Sequence, residues 1–379
     1  MVNAICGLLF ACFCFCYLMF FQSDYLAFVQ HFYSDGRNVN HGYVFPVIIS
    51  TMLTMLGYVL LHFFHLPIRL RALHWMPSIL ILGMFSGFPI GRFTQSCQSF
   101  GVMAYIVFFL LFCVVYYVAM IVRESRSENS SFFMLAWPNL LIHCCGFWFV
   151  GYAGNTCELF QKELRVERAV GEGRWEDALE MINAQENTTR TMTSLIAYSL
   201  DCQGALGERF FQCVPENWDG NLLPLPGDSL RPWNFVALYK ERLGGFPGTD
   251  MKASNYLEYL SRDTIATDRV PDFLLTAYLV DRNLDDFVHK MLVYYPPIDS
   301  MTHVYAAADS LPLHFREAVC QYGLTVDKPL VSLDDSLLSA RFVDFDSLRV
   351  RVPESASAMD SCLSVYKGTY WYYYFLQKR

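Results

Sequence analysis

No lysine occurs in the first 152 residues of this 379-residue chain, and only six arginines and four acids stand among them. A water-exposed domain carries about a quarter of its residues as charged side chains. That scarcity excludes an ordinary soluble fold for the first two-fifths of the polypeptide. Residues 153–379 hold 22 basic and 32 acidic side chains, a net charge of −10. No basic patch is there to displace counterions from phosphates, so nucleic acid is excluded as a partner.

Other expected features are missing too. The first apolar stretch has no basic leader and no small-x-small cleavage site, which argues against a cleaved signal peptide. The 13 cysteines form no spaced framework. Seven of them (Cys6, Cys12, Cys14, Cys16, Cys113, Cys144, Cys145) lie in apolar runs, where they act as small hydrophobes. Cys12 and Cys16 share a helix face while Cys14 points elsewhere, so no metal site is expected. Spacing alone leaves the pairing of Cys157, Cys202, Cys213, Cys320 and Cys362 open. Catalytic motifs are absent as well. Gly171-Glu-Gly173-Arg-Trp-Glu lacks the third glycine of a dinucleotide loop. His314-Phe-Arg-Glu317 lacks the second histidine of a zinc protease, and Ser229 lacks the glycine of a nucleophile elbow. His289, His303 and His314 read as structural residues. No catalytic residue, cofactor or metal ligand is expected.

What is present is hydrophobicity, 54% of the chain, with a mean hydropathy of +0.26. It gathers in five runs, 3–21, 43–66, 76–91, 102–122 and 132–152. A helix needs about 20 residues to cross the hydrocarbon core, and all but 76–91 meet that. The chain therefore reads as all-α: a polytopic transmembrane helical bundle over 1–152, then a soluble domain over 153–379. Between the first two runs, Tyr25, Phe28, Phe32 and Tyr33 keep helical spacing and suit an interfacial helix.

Within the runs, Gly83, Gly87 and Gly91 repeat every four residues on one face, a spacing for close helix packing. Asn139 and His143, also four apart, are the strongly polar pair deep in the last run. Such residues are candidates for an intramembrane site, with Arg92 as a third member. They serve equally as interhelical hydrogen-bond glue, which is the favoured reading. His62 and His65 close the second run and read as an interfacial helix end. The loops at 67–75 and 123–131 carry two arginines each, the others one, so the positive-inside bias places the N-terminus in the cytoplasm and the tail outside, in the periplasm of a bacterial cell.

The tail is helix after helix. Trp175, Ala178, Leu179 and Ile182 mark one apolar face. The clearest unit is 271–295, where Pro271 opens one helix, Asn283 caps the next, and Pro296-Pro297 ends it. Similar turns follow Ala169, Ala197 and Ala277. Stacked helical pairs of this kind predict a TPR-like α-solenoid of degenerate repeats. The seven aromatics of Tyr366–Leu376 are expected to cap its last helix pair.

The segments Leu195-Ile-Ala-Tyr-Ser-Leu-Asp-Cys-Gln-Gly-Ala-Leu-Gly-Glu-Arg-Phe-Phe-Gln, Leu311-Pro-Leu-His-Phe-Arg-Glu-Ala-Val and Thr369-Tyr-Trp-Tyr-Tyr-Tyr-Phe resemble an uncharacterised family of Bacteroidota multi-pass membrane proteins, catalogued as a domain of unknown function. Its members are similar in having N-terminal transmembrane helices, often more than five, and a TPR-like C-terminal domain. The resemblance covers most of the tail and, more weakly, 22–67, and supplies no catalytic residue. The expectation is a non-enzymatic inner-membrane protein that sits in the lipid bilayer and binds a protein partner through its helical-repeat tail. The rival expectation is a small-molecule transporter or membrane-embedded enzyme using Asn139, His143 and Arg92.

Overall fold

Among the described residues the chain is mostly helical. The computed structural model describes residues 2–34, 42–64, 66–87, 102–121, 132–154, 158–183, 188–214, 221–226, 235–297, 303–306, 311–351 and 363–376. By its internal contacts it divides into two compact units, Met1–Leu164 and Arg165–Arg379.

In the first unit every apolar run carries a helix. α1 (Val2–Cys16) widens into a π-turn at Tyr17–Phe21, and α2 (Ser23–Ser34) follows. Next come α3 (Val44–Phe63), a 3-10 helix at Ile68–Trp75, α4 (Met76–Gly87), α5 (Val102–Ile121) and α6 (Phe132–Ala153). Among the described residues three helices are long and apolar enough to cross a membrane: Val2–Phe21, Val44–Phe63 and Phe133–Ala153. The stretch Tyr105–Ala119 is apolar but shorter, as is α4.

α1 packs on α3 and α6, while α4 packs on α3 and α6. Phe10, Leu18, Trp75, Ile79, Leu82 and Val150 meet in the core between them. Trp75 lies in the notch left by Gly57, where an added Cβ would stand 2.1 Å from the indole. Gly87 makes room in the same way for Tyr105 of α5, whose hydroxyl lies 3.0 Å from the Gly83 carbonyl oxygen, while a Cβ at Gly83 would meet that ring only in ordinary contact. Gly91 lies outside the described residues.

Two segments differ from the sequence reading. Residues 67–75, expected as a polar loop, form the 3-10 helix, with Ala72, Leu73, His74 and Trp75 buried and packed on α6. The arginines suggested a loop, but Leu, Ala, His and Trp between them supply an inward face. In α2 two of the aromatics meant for headgroups, Tyr25 and Phe28, turn to protein, while the side chains of Phe32 and Tyr33 lie outside the described ones. Tyr25 and Phe28 are buried against Phe160 and Leu164 of α7 (Glu158–Gly171), and the Tyr25 hydroxyl donates to the Phe85 carbonyl. That contact draws the opening turns of α7 into the first unit, twelve residues past the polarity change at 152.

The second unit continues with α8 (Trp175–Asn183), α9 (Arg190–Cys202), α10 (Leu206–Cys213), α11 (Phe235–Leu243) and α12 (Ala253–Leu260). Then come α13 (Val270–Val280) and α14 (Leu284–Tyr294). α15 (Leu313–Thr325), α16 (Ser336–Arg351) and α17 (Tyr370–Leu376) complete it. Two three-residue strands, β1 (Val304–Ala306) and β2 (Ser332–Asp334), pair in parallel.

One turn recurs three times in this unit. Gly173, Gly204 and Arg282 each take positive φ, at 75°, 67° and 57°. The amide after each one bonds five residues back, Arg174 to Ala169, Ala205 to Leu200 and Asn283 to Tyr278. The left-handed residue's own amide bonds three back, to Val170, Asp201 and Leu279. This is the Schellman pattern, which satisfies the orphan carbonyls of one helix while turning the chain into the next. α9 packs on α10 and α13 on α14 across two of these turns. Asn283 also caps α14, its side-chain oxygen accepting the Asp286 amide at 3.2 Å. α9 and α13 are almost entirely buried; α13 is apolar on nearly every side, whereas α9 buries Thr191, Thr193, Ser194, Ser199 and Asp201 as well. Tyr239 of α11 ties them together: its ring packs on Tyr198 and Phe273, and its hydroxyl donates to the Ser194 carbonyl.

Candidate functional site

Asn139 of α6 faces the buried 3-10 helix. Its carboxamide oxygen accepts the Ala72 amide at 2.8 Å. Its nitrogen donates to the Ile68 carbonyl at 2.9 Å and to Leu135, one turn back, at 2.8 Å. A 3-10 segment leaves backbone groups without helical partners, and in apolar surroundings each such group is costly. Asn139 supplies a donor and an acceptor from one side chain, which few residue types can do. Both amide hydrogens and the oxygen are thereby engaged. Interhelical glue is the role this geometry supports.

His143, one turn further on, is buried. Its Nδ1 lies 3.1 Å from the Asn139 carbonyl oxygen, and its ring stands edge-on to Phe147. Nε2 is sealed from solvent, and the ring interacts with the Cys6 backbone as well. A cavity of about 170 Å³ between α1 and α6 runs past this ring. Asn139 and His143 are therefore neighbours that do different things. Arg92, the third candidate, lies outside the described residues.

Polar groups that the sequence reading passed over make a second knot in this unit. The Tyr17 hydroxyl, at the π-turn, donates to Ser86 Oγ at 3.1 Å and accepts from Gln22 Nε2 at 3.0 Å. Gly154 stands close by, where a Cβ would reach within 2.2 Å of that hydroxyl. The π-turn between two apolar stretches re-aims Tyr17 toward this contact, a frequent use of such turns. Tyrosine and serine inside greasy runs look like filler, so only the one-per-turn approach of three helices reveals them. His74 lies in the 67–75 segment expected as a loop. It is buried, with Nδ1 2.8 Å from the Arg71 carbonyl oxygen and Nε2 2.9 Å from that of Phe64.

In the second unit the buried titratable groups are tied into packing. Glu317 of α15 accepts the Tyr370 amide at 2.8 Å and lies 2.8 Å from His314 Nδ1. His314 Nε2 accepts the Phe211 amide at 3.3 Å, which fixes the ring hydrogen on Nδ1. The Trp371 indole donates to the Glu317 carbonyl, and the Tyr373 hydroxyl to that of Val280, both at 2.7 Å. The terminal aromatics thus cap α13, α15 and α10. Asp201 pairs with Arg242; burial pushes its carboxyl above the usual carboxylate range while the guanidinium opposes the shift. Cys202, Cys213 and Cys320 are free thiols, and burial pushes Cys320 up to about 12; Cys157 and Cys362 lie outside the described residues. Among the described residues no three His, Cys, Asp or Glu side chains gather closely enough to hold a metal ion.

Comparison with known proteins finds no matching family model, no matching curated protein and no matching solved structure.

Proposed function

We propose that this chain is a multi-pass protein of a bacterial inner membrane whose TPR-like helical tail docks a protein partner. The observation that carries the membrane part is the outward face of the first unit. Leu8, Phe20, Met52, Leu111, Phe133 and Trp148 all stand exposed there, on helices almost free of charge. Apolar exposure on that scale marks a surface made for lipid. On this reading all five apolar runs form a transmembrane bundle. The arginine distribution puts the tail in the periplasm.

The docking part rests on the thrice-repeated Schellman turn. It stacks helices in successive pairs, the arrangement that gives α-solenoids an extended binding face. The resemblance to the Bacteroidota family, drawn from the tail's packing motifs, agrees with this reading. The rival reading, a transporter or membrane-embedded enzyme, draws on the buried His143 ring, but Asn139 is already committed to backbone.

Membrane fractionation tests the first part. The full-length chain is expected to stay with the vesicles through an alkaline carbonate wash and to leave only in detergent; release in carbonate sinks it. For the second part, cross-linking in intact membranes is followed by affinity purification. The same discrete partner is expected with wild type and with His143→Phe, and is lost on charge reversal of exposed tail residues such as Glu176 and Arg262. A partner retained through every tail reversal would remove the docking reading.

A further inference from the structure

We infer that the outward face of α16, with the turn beside it, is a docking surface for an anionic phospholipid headgroup layer. Exposure singles it out. Leu337, Val343, Val350 and Val365 stand 65–84% exposed, four of the six most exposed large hydrophobic side chains of the second unit among the described residues. Three belong to α16 and the fourth to a 3-10 turn, Ser364–Tyr366, held against it. The Tyr366 ring stands edge-on to Phe345, and its hydroxyl donates to Asp344 at 2.5 Å.

α16 is apolar on two sides. Leu338, Phe342 and Phe345 point inward and pack with Leu363 and Trp371. Ser336, Ala340, Val343, Ser347 and Val350 recur in alternating steps of four and three, which sets them on one stripe of the helix. None of them is charged, and Ala340, Val343 and Val350 are exposed. The first set completes the core; the second adds apolar surface that the core does not use, and a patch of that kind marks a contact with something else.

Charge decides what that something is. Residues 153–335 carry 16 basic and 28 acidic side chains, whereas 336–379 carry six and four. Within the patch Arg349 matches Asp346 at 2.6 Å, so Asp344 is the one acid set against Arg341, Arg351 and Lys367, all exposed. Lys378 and Arg379 follow in sequence. Aliphatic side chains bordered by cations suit the boundary of a bilayer, where the stripe meets acyl chains and the cations stay among phosphates. A second copy of the chain suits it less, because two-fold pairing sets the same cations against themselves. The acidic body of the tail is repelled by such a layer, which leaves this end to face it.

The test uses the full-length chain in liposomes of phosphatidylcholine mixed with phosphatidylglycerol. It carries the photo-cross-linking substitution Val343→p-benzoylphenylalanine or, as a control, Val293→p-benzoylphenylalanine. Val293 is as exposed as Val343 but stands on α14, which opens with Asp285 and Asp286. After illumination, mass spectrometry sorts the adducts into lipid and cross-linked chain. Lipid adducts are expected at 343 and should be scarce at 293. Arg341→Gln or Arg351→Gln should each cut the yield at 343 about fivefold, the worth of one basic residue near an anionic surface. Phosphatidylcholine alone should bring it to the control level. Thermal unfolding verifies that each variant is folded; should the 343 variant fail, Val350→p-benzoylphenylalanine takes its place. Equal lipid yields at 343 and 293, equal yields with and without phosphatidylglycerol, or a cross-linked dimer as the main product overturns the proposal. Carbonate release of a chain that still gives these adducts on added liposomes would sink the membrane reading and leave this surface standing.

Discussion

Asn139 accepts the amide hydrogen of Ala72 at 2.8 Å, and through that bond a helix in the last apolar run holds a 3-10 segment 67 residues earlier in the chain. Replacing the carboxamide should leave the Ala72 amide and the Ile68 carbonyl stranded. Each stranded buried group costs about 1–3 kcal/mol, so Asn139→Leu is expected to lower stability by roughly 2–4 kcal/mol. Asn139→Asp keeps the acceptor and should lose less. Unfolding of the detergent-solubilised protein measures both, and a Leu variant as stable as wild type would contradict the stapling role.

Glu317 is the corresponding anchor in the second unit. It holds His314 and the Tyr370 amide while its backbone carbonyl takes the Trp371 indole. Glu317→Leu removes one member of a buried polar pair and is expected to cost about 3 kcal/mol. Glu317→Gln retains an acceptor and should cost less. The loss should appear in unfolding and in early protease cleavage near Tyr370; an unaltered cleavage pattern would mean that the C-terminal helix is held by its aromatics alone.

Two glycines separate backbone strain from collision. Gly204 has φ +67° with nothing within 4 Å of an added Cβ, whereas at Gly244, φ +88°, that Cβ would stand 1.8 Å from the Ile265 carbonyl oxygen. Gly204→Ala should cost only the left-handed conformation, about 1–2 kcal/mol. Gly244→Ala should cost more, since the 265–266 backbone has to move. Equal losses would show that the Ile265 strand of chain yields freely.

Asp272 gives the tail a pH dependence. Burial raises its carboxyl above the ordinary value of 3.8, although the Tyr295 hydroxyl donates to it and opposes the shift. The folded state therefore holds this proton more tightly than the unfolded one. Its contribution is fully present below the unfolded pKa and lost as pH rises through the raised folded value. Asp272→Asn should accordingly gain on wild type as pH climbs from below 3.8 into the neutral range. Parallel stability curves for the two proteins would exclude the shift.

The helices themselves were legible because their signals are local. Hydropathy runs place α1, α3 and α6, and Asn283 with the following acids places α14, since a cap and a periodic face need only neighbours in sequence. The inward-facing 3-10 helix was not legible. Its arginines look like a loop, and nothing nearby in sequence says that Asn139 will satisfy it. The repeated turn was half visible: glycine marks two of the three left-handed positions, but Arg282 fills the third, where its guanidinium also donates to the Tyr373 carbonyl. Asn139 and His143 could be picked out as an unusual pair on one helix face, yet their different fates could not.

By itself, then, the amino-acid order determined that the chain is mostly helical, where the helices of the apolar runs and of 271–295 lie, and which stretch is the most apolar. These follow from periodicity, caps and composition, each read within a turn or two. Tertiary structure alone decided that Asn139 is consumed by the backbone at 68–72 while the His143 ring is buried edge-on to Phe147. Hydrogen-bond satisfaction is a property of surfaces brought together from distant parts of the chain, and it exists only once they meet.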